Sequence, residues 1–162
     1  MLTRRVFLAA LTTPLAATLL PALPARAQHR AAPPPPLALP AGMSPLRDGA
    51  YRVAFLVGQS GLQAGMAPTL AEIGRRLAAA HAQGSGRITI EGHASGPVAD
   101  ASTARRISLA RANAVRDALV AGGLEETRID VRALGRTNAA LDAADILPPG
   151  AVRAGERRPG RS

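Results

Sequence analysis

The sequence contains no cysteine, no tryptophan and no lysine. The absence of cysteine excludes a disulfide framework, a thiolate metal site and a lipid-modified N-terminal cysteine. All 20 basic residues are therefore arginine, and the 162-residue chain carries a formal net charge of +9. That charge would suit nucleic acid, but only Tyr51 and Phe55 supply aromatic rings beyond the first dozen residues. We expect no nucleic-acid partner, because single strands bind on stacked aromatic side chains.

Long uninterrupted apolar runs are also missing, even at the N-terminus. Residues 1–27 combine an arginine pair, an apolar stretch broken by prolines and the small-residue end Ala25-Arg26-Ala27. This pattern predicts an export signal cleaved after Ala27, rather than a membrane span of about 20 apolar residues. Thr3 to Leu8 match the twin-arginine signature, and an ordinary secretory start with two arginines is the alternative. Cleavage would remove three arginines and no acids, which lowers the net charge from +9 to +6.

Residues 28–48 are rich in proline and include four consecutive prolines. Such a run favours extended polyproline II, which rises about 3.1 Å per residue and forms no packed core. We interpret these residues as a semi-rigid linker before the folded domain. A disordered N-terminus of the exported chain, with no role as a spacer, is the alternative.

From residue 49 onward, the hydrophobic pattern predicts three strands and two helices in the order β-α-β-α-β. The predicted strands are YRVAFLV, RITIEG and TRIDVRAL. Leu70, Ile73 and Leu77 form the apolar stripe of the first helix, and the second spans residues 102–121. The order predicts an α/β (α+β) sandwich with helices packed on one face of a small mixed sheet. The last segment, from Gly135 on, shows no convincing strand.

The second helix and its flanks carry a recognisable ordered set of residues. The set is Gly92-His93, Ile107-Ser108, Arg111-Ala112, Val115, Leu119, Gly123-Leu124, Arg128-Ile129 and Gly135. With these spacings the chain resembles the OmpA-like C-terminal domain, which also occurs in flagellar stator proteins and peptidoglycan-associated lipoproteins. The resemblance covers about Tyr51 to Arg158, so we assign residues 49–158 to one OmpA-like domain and 159–162 to a tail.

The resemblance implies non-covalent binding of peptidoglycan through the diaminopimelate of its stem peptide. The family's arginine corresponds to Arg111, whose planar fork suits a carboxylate. Ser108 belongs to the same segment. His93 either holds the turn at the strand end or contacts the ligand. The implied location is the periplasm or cell envelope. Any association with the outer membrane is expected to be peripheral, and no cofactor is implied.

Two departures from the family pattern bear on this function. Where the family has Thr-Asp after Gly-His, this chain has Ala94-Ser95, and serine brings no charge to meet a ligand cation. Asp100 is either a substitute acid or a helix-entry charge. The family's closing strand after Arg-Arg has no counterpart here, because Pro159 follows Arg158 directly. Either the sheet lacks its last strand, or the chain is truncated relative to the family. We therefore expect weak binding, an open sheet edge, and reduced stability or association.

Other functional classes find little support in the sequence. GHASG lacks the spacing of a nucleophile elbow, so we predict no enzyme activity. His29, His81 and His93 are scattered, so we predict no metal site. Arg105 and Arg106 form either a phosphate-binding patch or a solvated helix face. The main alternative to a peptidoglycan-binding module is a structural or protein-interaction domain of the cell envelope that has lost binding.

Overall fold

The structure is a computed structural model that describes residues 36–84, 86–96 and 100–151. The predicted export signal, the linker up to residue 35, residues 152–158 and the tail lie outside the described residues. The strands are β1 (Met43–Pro45), β2 (Tyr51–Ala54), β3 (Ile88–His93), β4 (Ile129–Gly135) and β5 (Ala143–Leu147). The helices are α1 (Met66–Ala80) and α2 (Ala101–Ala121).

The five strands form one mixed sheet in the order β1-β2-β5-β3-β4. Strands β3 and β4 are parallel and are joined through α2, whereas the other neighbouring pairs are antiparallel. Both helices pack against the sheet and share one hydrophobic core with it, which includes Val53, Ile90 and Ile146 from adjacent strands. The predicted fold class is therefore confirmed. Among the described residues, no helix is both long and apolar enough to cross a membrane.

The helices form where the sequence periodicity predicts them. Leu70, Ile73 and Leu77 are all buried along α1, because residues three and four positions apart share one face of a helix. Two glycines let the helices approach closely. A Cβ on Gly74 would overlap the backbone of Leu119 in α2, and one on Gly122 would overlap the backbone of Ala71 in α1.

The prediction that the last segment lacks a strand is wrong. Residues Ala143–Leu147 form β5, which lies between β2 and β3 in the middle of the sheet. The open sheet edge expected from the family's closing strand concerns residues after Arg158, which lie outside the described residues. Within the described residues, the outer strands of the sheet are β1 and β4. Strand β1 lies within residues 28–48, and its Pro45 sits on an outer strand, where a missing backbone N–H is tolerated.

A row of four charged residues crosses the sheet, with Arg52, Asp145, Glu91 and Arg132 paired in register from β2 to β4. These positions alternate with the core positions along each strand, so the side chains point away from the hydrophobic core. Asp145 and Glu91 are only 3% and 4% exposed. Arg52 binds Asp145 through two hydrogen bonds of 2.7 Å, and Arg132 binds Glu91 at 3.0 Å. Each of the two buried acids is thus neutralised by an arginine on a neighbouring strand, Asp145 from β2 and Glu91 from β4.

Candidate functional site

The candidate site lies where three strand ends meet. Strands β2 and β3 finish at the same end of the sheet at which the antiparallel strand β5 begins. The chain leaving β2 carries Leu56 and Gln59, the chain leaving β3 carries Ser95, and Asp142 precedes β5 directly. Arg111, in the middle of α2, reaches all three segments.

Arg111 is completely buried, and its hydrogen bonds all end on groups of the protein. Nε donates to the carbonyl of Gln59 at 2.7 Å, and Nη2 donates to the carbonyl of Leu56 at 2.9 Å. Nη1 donates to the carbonyl of His93 and to Oδ1 of Asp142, both at 2.7 Å. Four of the five N–H donors of the guanidinium are therefore used inside the molecule.

Asp142 is the acid that accompanies Arg111. Its side chain is 13% exposed, so one carboxylate at this site remains in contact with solvent. Besides Arg111, it accepts hydrogen bonds from the backbone N–H of Ser95 at 3.1 Å and from the hydroxyl of Ser95. Burial raises the pKa of Asp142, but the bonds from Ser95 and Arg111 outweigh it and hold the pKa below its ordinary value. Asp142 is therefore ionised at neutral pH.

The site thus holds a charge pair beside Ser95. The Arg111 guanidinium also lies 5.3 Å from the centroid of the Phe55 ring, which is a favourable cation–π distance. A buried cation needs such compensation, since removing it from water is costly. The arrangement can present a fixed negative charge to a cationic group at the rim.

His93 contributes its backbone, rather than its ring, to this cluster. Its carbonyl accepts from Arg111, whereas Nε2 lies 3.6 Å from Asp145 in the charged row. Neither ring nitrogen has a hydrogen-bond partner among the described residues. Burial raises the pKa of Asp145, but the hydrogen bonds from Arg52 outweigh this effect, so the pKa of Asp145 is lowered.

Ser108 and Asp100 lie away from the Arg111–Asp142 pair. Ser108 is fully buried, donates to the carbonyl of Arg105 at 2.9 Å and accepts from the backbone N–H of Gly135 at 3.0 Å. It therefore ties α2 to the end of β4. Asp100 is the N-cap of α2 and accepts from the backbone N–H of Thr103 at 3.1 Å.

Of the predicted site residues, the structure brings together Arg111, Ser95 and the backbone of His93. The sequence reasoning missed Asp142, which lies 31 residues beyond Arg111 and 47 beyond Ser95. The sequence signal that could have indicated Asp142 was its position, as an acid, directly before β5, the strand that the hydrophobic pattern did not predict. No group of three or more potential metal ligands occurs within the described part of the chain.

Comparison with known proteins shows which family the chain is similar to. The model of the OmpA family matches residues 54–146. The peptidoglycan-associated lipoprotein from Burkholderia pseudomallei is similar in structure, with a TM-score of 0.50 and 21% identity over 60% of this chain and 88% of that chain. The cell wall anchor of the T6SS from Pseudomonas aeruginosa has a TM-score of 0.45 and 19% identity over 62% and 80%. No curated protein matches the chain.

Proposed function

Because the chain belongs to the OmpA family, we propose that it is a cell-envelope protein that binds peptidoglycan non-covalently and weakly. The observation that carries this proposal is the partly exposed carboxylate of Asp142 beside Ser95 and Arg111. The ligand is the diaminopimelate of the stem peptide, which ends in an ammonium and a carboxylate. The protein acts as an exported binding module and catalyses no reaction.

Asp142 receives the ammonium of the ligand in this proposal. It replaces, from a different segment of the chain, the acid that the family carries at the position of Ser95. Hydrogen bonds to an ionised group contribute about 1.5–3 kcal/mol each, so one carboxylate is enough for measurable selectivity.

Arg111 has two tasks in the proposal. It positions Asp142 through the 2.7 Å bond, and it supplies the positive charge that keeps the site neutral overall. Because Arg111 is completely buried, the carboxylate of the ligand reaches it only by displacing the carbonyl of Leu56 or Gln59. Both carbonyls belong to exposed residues of the chain leaving β2. That exchange costs hydrogen bonds already made, which explains why binding is weak.

Cosedimentation with insoluble peptidoglycan tests the proposal. We expect Asp142→Asn to reduce retention of the protein by about 10-fold or more, since it removes the charge that meets the ammonium. Asp130→Asn is the control, because it removes an exposed acid from β4 that pairs with Arg87 at the surface. Free diaminopimelate should compete for the site, whereas pimelate, which lacks the amino groups, should not. Thermal melting would establish that both variants remain folded.

Exchanging the side chains of Ser95 and Asp142 gives a sharper test. Ser95→Asp alone places a second carboxylate against Asp142, so we expect it to lower the melting temperature at neutral pH. The loss should shrink on acidification, because a like charge raises a carboxyl pKa and protonation relieves the repulsion. Ser95→Asp combined with Asp142→Ser should recover both stability and retention on peptidoglycan.

The second candidate is a structural or protein-interaction domain of the envelope that has lost peptidoglycan binding. The complete burial of Arg111 and its four internal bonds favour it. If the wild-type chain fails to cosediment, this second function is the correct one. Equal retention of the wild type and Asp142→Asn would instead show that peptidoglycan binds away from Asp142.

A further inference from the structure

We propose that a depression between the start of α2 and the end of β4 binds a phosphate group through Arg105, Arg106 and Arg136. The depression has a volume of about 640 Å³. Its lining consists of Ala101, Ser102, Arg105, Arg106, Leu134, Gly135 and Arg136. None of these residues makes a contact described above for the Arg111–Asp142 pair, so this is a second site, independent of the proposed peptidoglycan function.

The backbone holds the three arginines in place from two elements. Gly135 has a φ of +63°, and a Cβ there would lie 3.3 Å from the backbone N of Arg105. Glycine therefore allows the end of β4 to lie directly against α2. The backbone N–H of Gly135 donates to Ser108, whose hydroxyl donates to the carbonyl of Arg105. These bonds fix Arg136, the next residue, beside the first turns of α2.

The arginines at this depression are not paired with carboxylates, whereas most other arginines of the described residues are. A carboxylate lies within 4.0 Å of each of Arg52, Arg75, Arg76, Arg87, Arg111, Arg116 and Arg132. No such pairing occurs at Arg105, Arg106 or Arg136 among the described residues. The side chain of Arg106 donates from Nη2 to Thr103 Oγ1 at 2.9 Å. Three exposed cations therefore surround one concave surface.

Asp100 is the acid that faces this group from the helix start. It is committed to Thr103 as the N-cap, and the bonds from Thr103 together with the charge of Arg106 lower its pKa. One carboxylate offsets one of three guanidinium charges, which leaves the depression positive. Its volume lies within the usual range of about 300–1,000 Å³ for small-ligand sites.

Phosphate suits three neighbouring guanidinium groups better than a carboxylate does, because it offers more oxygens and more negative charge. The planar guanidinium forks bind phosphate oxygens in pairs, and three of them can surround a dianionic phosphate monoester. The phosphate can belong to a soluble phosphorylated molecule or to a phospholipid headgroup. Both sources present non-bridging phosphate oxygens to the arginines, three in a phosphate monoester and two in the phosphodiester of a phospholipid.

Titration of the full chain with inorganic phosphate, followed by the backbone amide resonances, tests the proposal. We expect saturable shifts at Ser102, Arg105, Arg106, Gly135 and Arg136, relative to chloride at equal ionic strength. Arg105→Gln combined with Arg136→Gln should weaken binding at least 10-fold. Arg47→Gln is the control, because Arg47 is also exposed but follows β1 at the opposite edge of the sheet. Arg47, Arg105 and Arg136 are all exposed, so the variants should have the same melting temperature as the wild type.

Vesicles distinguish the two sources of phosphate. Retention on phosphatidylglycerol vesicles but not on phosphatidylcholine vesicles, lost in the double variant, assigns the lipid headgroup. Phosphate binding without retention assigns a soluble ligand. The proposal is overturned if phosphate causes no saturable shifts, or if the double variant and Arg47→Gln respond identically. Neither result depends on binding to peptidoglycan.

Discussion

Arg111 shows how one buried side chain can hold several chain segments together. Its guanidinium joins α2 to the chain leaving β2, to the end of β3 and to the residue before β5. The planar fork of arginine satisfies separate acceptors at once, which lysine, as a point charge, cannot do in the same geometry.

Replacing Arg111 by alanine should therefore destabilise the fold strongly. The variant leaves Asp142 without its counter-charge and removes hydrogen bonds from three backbone carbonyls. Breaking a buried ion pair in this way typically costs about 3–5 kcal/mol. Urea denaturation at neutral pH measures the loss.

Arg75→Ala is the matched control, since its side chain is 68% exposed and pairs with Glu72 on the surface of α1. We expect a change within about 0.5 kcal/mol, as for most surface substitutions. A similar small loss for Arg111→Ala would show that the buried pair contributes little to stability.

The charged row makes β5 compatible with the centre of the sheet. Asp145 and Glu91 lie opposite each other on β5 and β3, and like charges in that relation repel. Arg52 and Arg132 flank the two acids and compensate for the repulsion. The stability of the central strand therefore depends on the ionisation of its acid and on its arginine partner.

Arg52→Gln should destabilise the protein by about 1–3 kcal/mol at neutral pH, less than a fully buried pair because Arg52 is 23% exposed. The folded-state pKa of Asp145 is lowered, so the pair contributes stability above the unfolded pKa of about 3.9. That contribution is lost as the pH falls through the folded pKa. The difference between wild type and variant should thus be largest near pH 7 and disappear in acid.

Denaturant melts at several pH values measure this difference. Arg87→Gln is the control, because the Arg87–Asp130 pair is half-exposed and such pairs contribute about 0–1 kcal/mol. A pH-independent loss for Arg52→Gln would mean that the arginine acts through packing and not through the charge of Asp145.

Close contact between the helices depends on glycine at the crossing point. In the interior of a helix, alanine is normally favoured over glycine by about 1 kcal/mol. At Gly74, however, the added methyl group would overlap the backbone of Leu119, which cannot move without shifting α2. The packing cost should therefore exceed the gain in helix propensity.

We expect Gly74→Ala to lower the free energy of unfolding by about 1–3 kcal/mol, the usual range for overpacked cores. Gly61→Ala serves as the control, since a Cβ at Gly61 meets nothing within 4 Å. Thermal and urea unfolding distinguish the outcomes. Stabilisation by Gly74→Ala would contradict the close approach of the two helices.

On the scale of the whole molecule, the sequence predicted the elements that have strong periodicity. The stripe of Leu70, Ile73 and Leu77 places α1 correctly, and the alternation of Ile88 and Ile90 places β3. Both patterns arise from local geometry, because each element buries one face. The β-α-β-α-β order of these elements then predicted helices packed on one face of a small sheet.

Strand β5 and the residue before it could not be predicted in the same way. Ala143–Leu147 is short, contains two alanines and an acid, and is followed directly by proline. Its burial depends on Arg52, which lies 93 residues away in the sequence. Asp142 was missed for the same reason, because its partners come from other segments. Contacts of this kind are properties of the assembled sheet and leave no local pattern.

Strand β5 is also the element that joins the two parts of the sheet. The pair β1–β2 lies on one side of it and the parallel pair β3–β4 on the other. Ile146 is fully buried and is in register with Tyr51 on β2 and Ile90 on β3. Weakening this strand should consequently loosen both sides together.

Ile146→Ala should lower the free energy of unfolding by about 2–5 kcal/mol, through lost burial and the cavity left behind. Hydrogen exchange should accelerate by the same factor in β2 and β4, because the sheet opens as one unit. Val57→Ala, at a residue that is 78% exposed, should change neither quantity appreciably. Faster exchange in β2 alone would contradict this, since β3 and β4 would then form a stable unit with α2 and without the central strand.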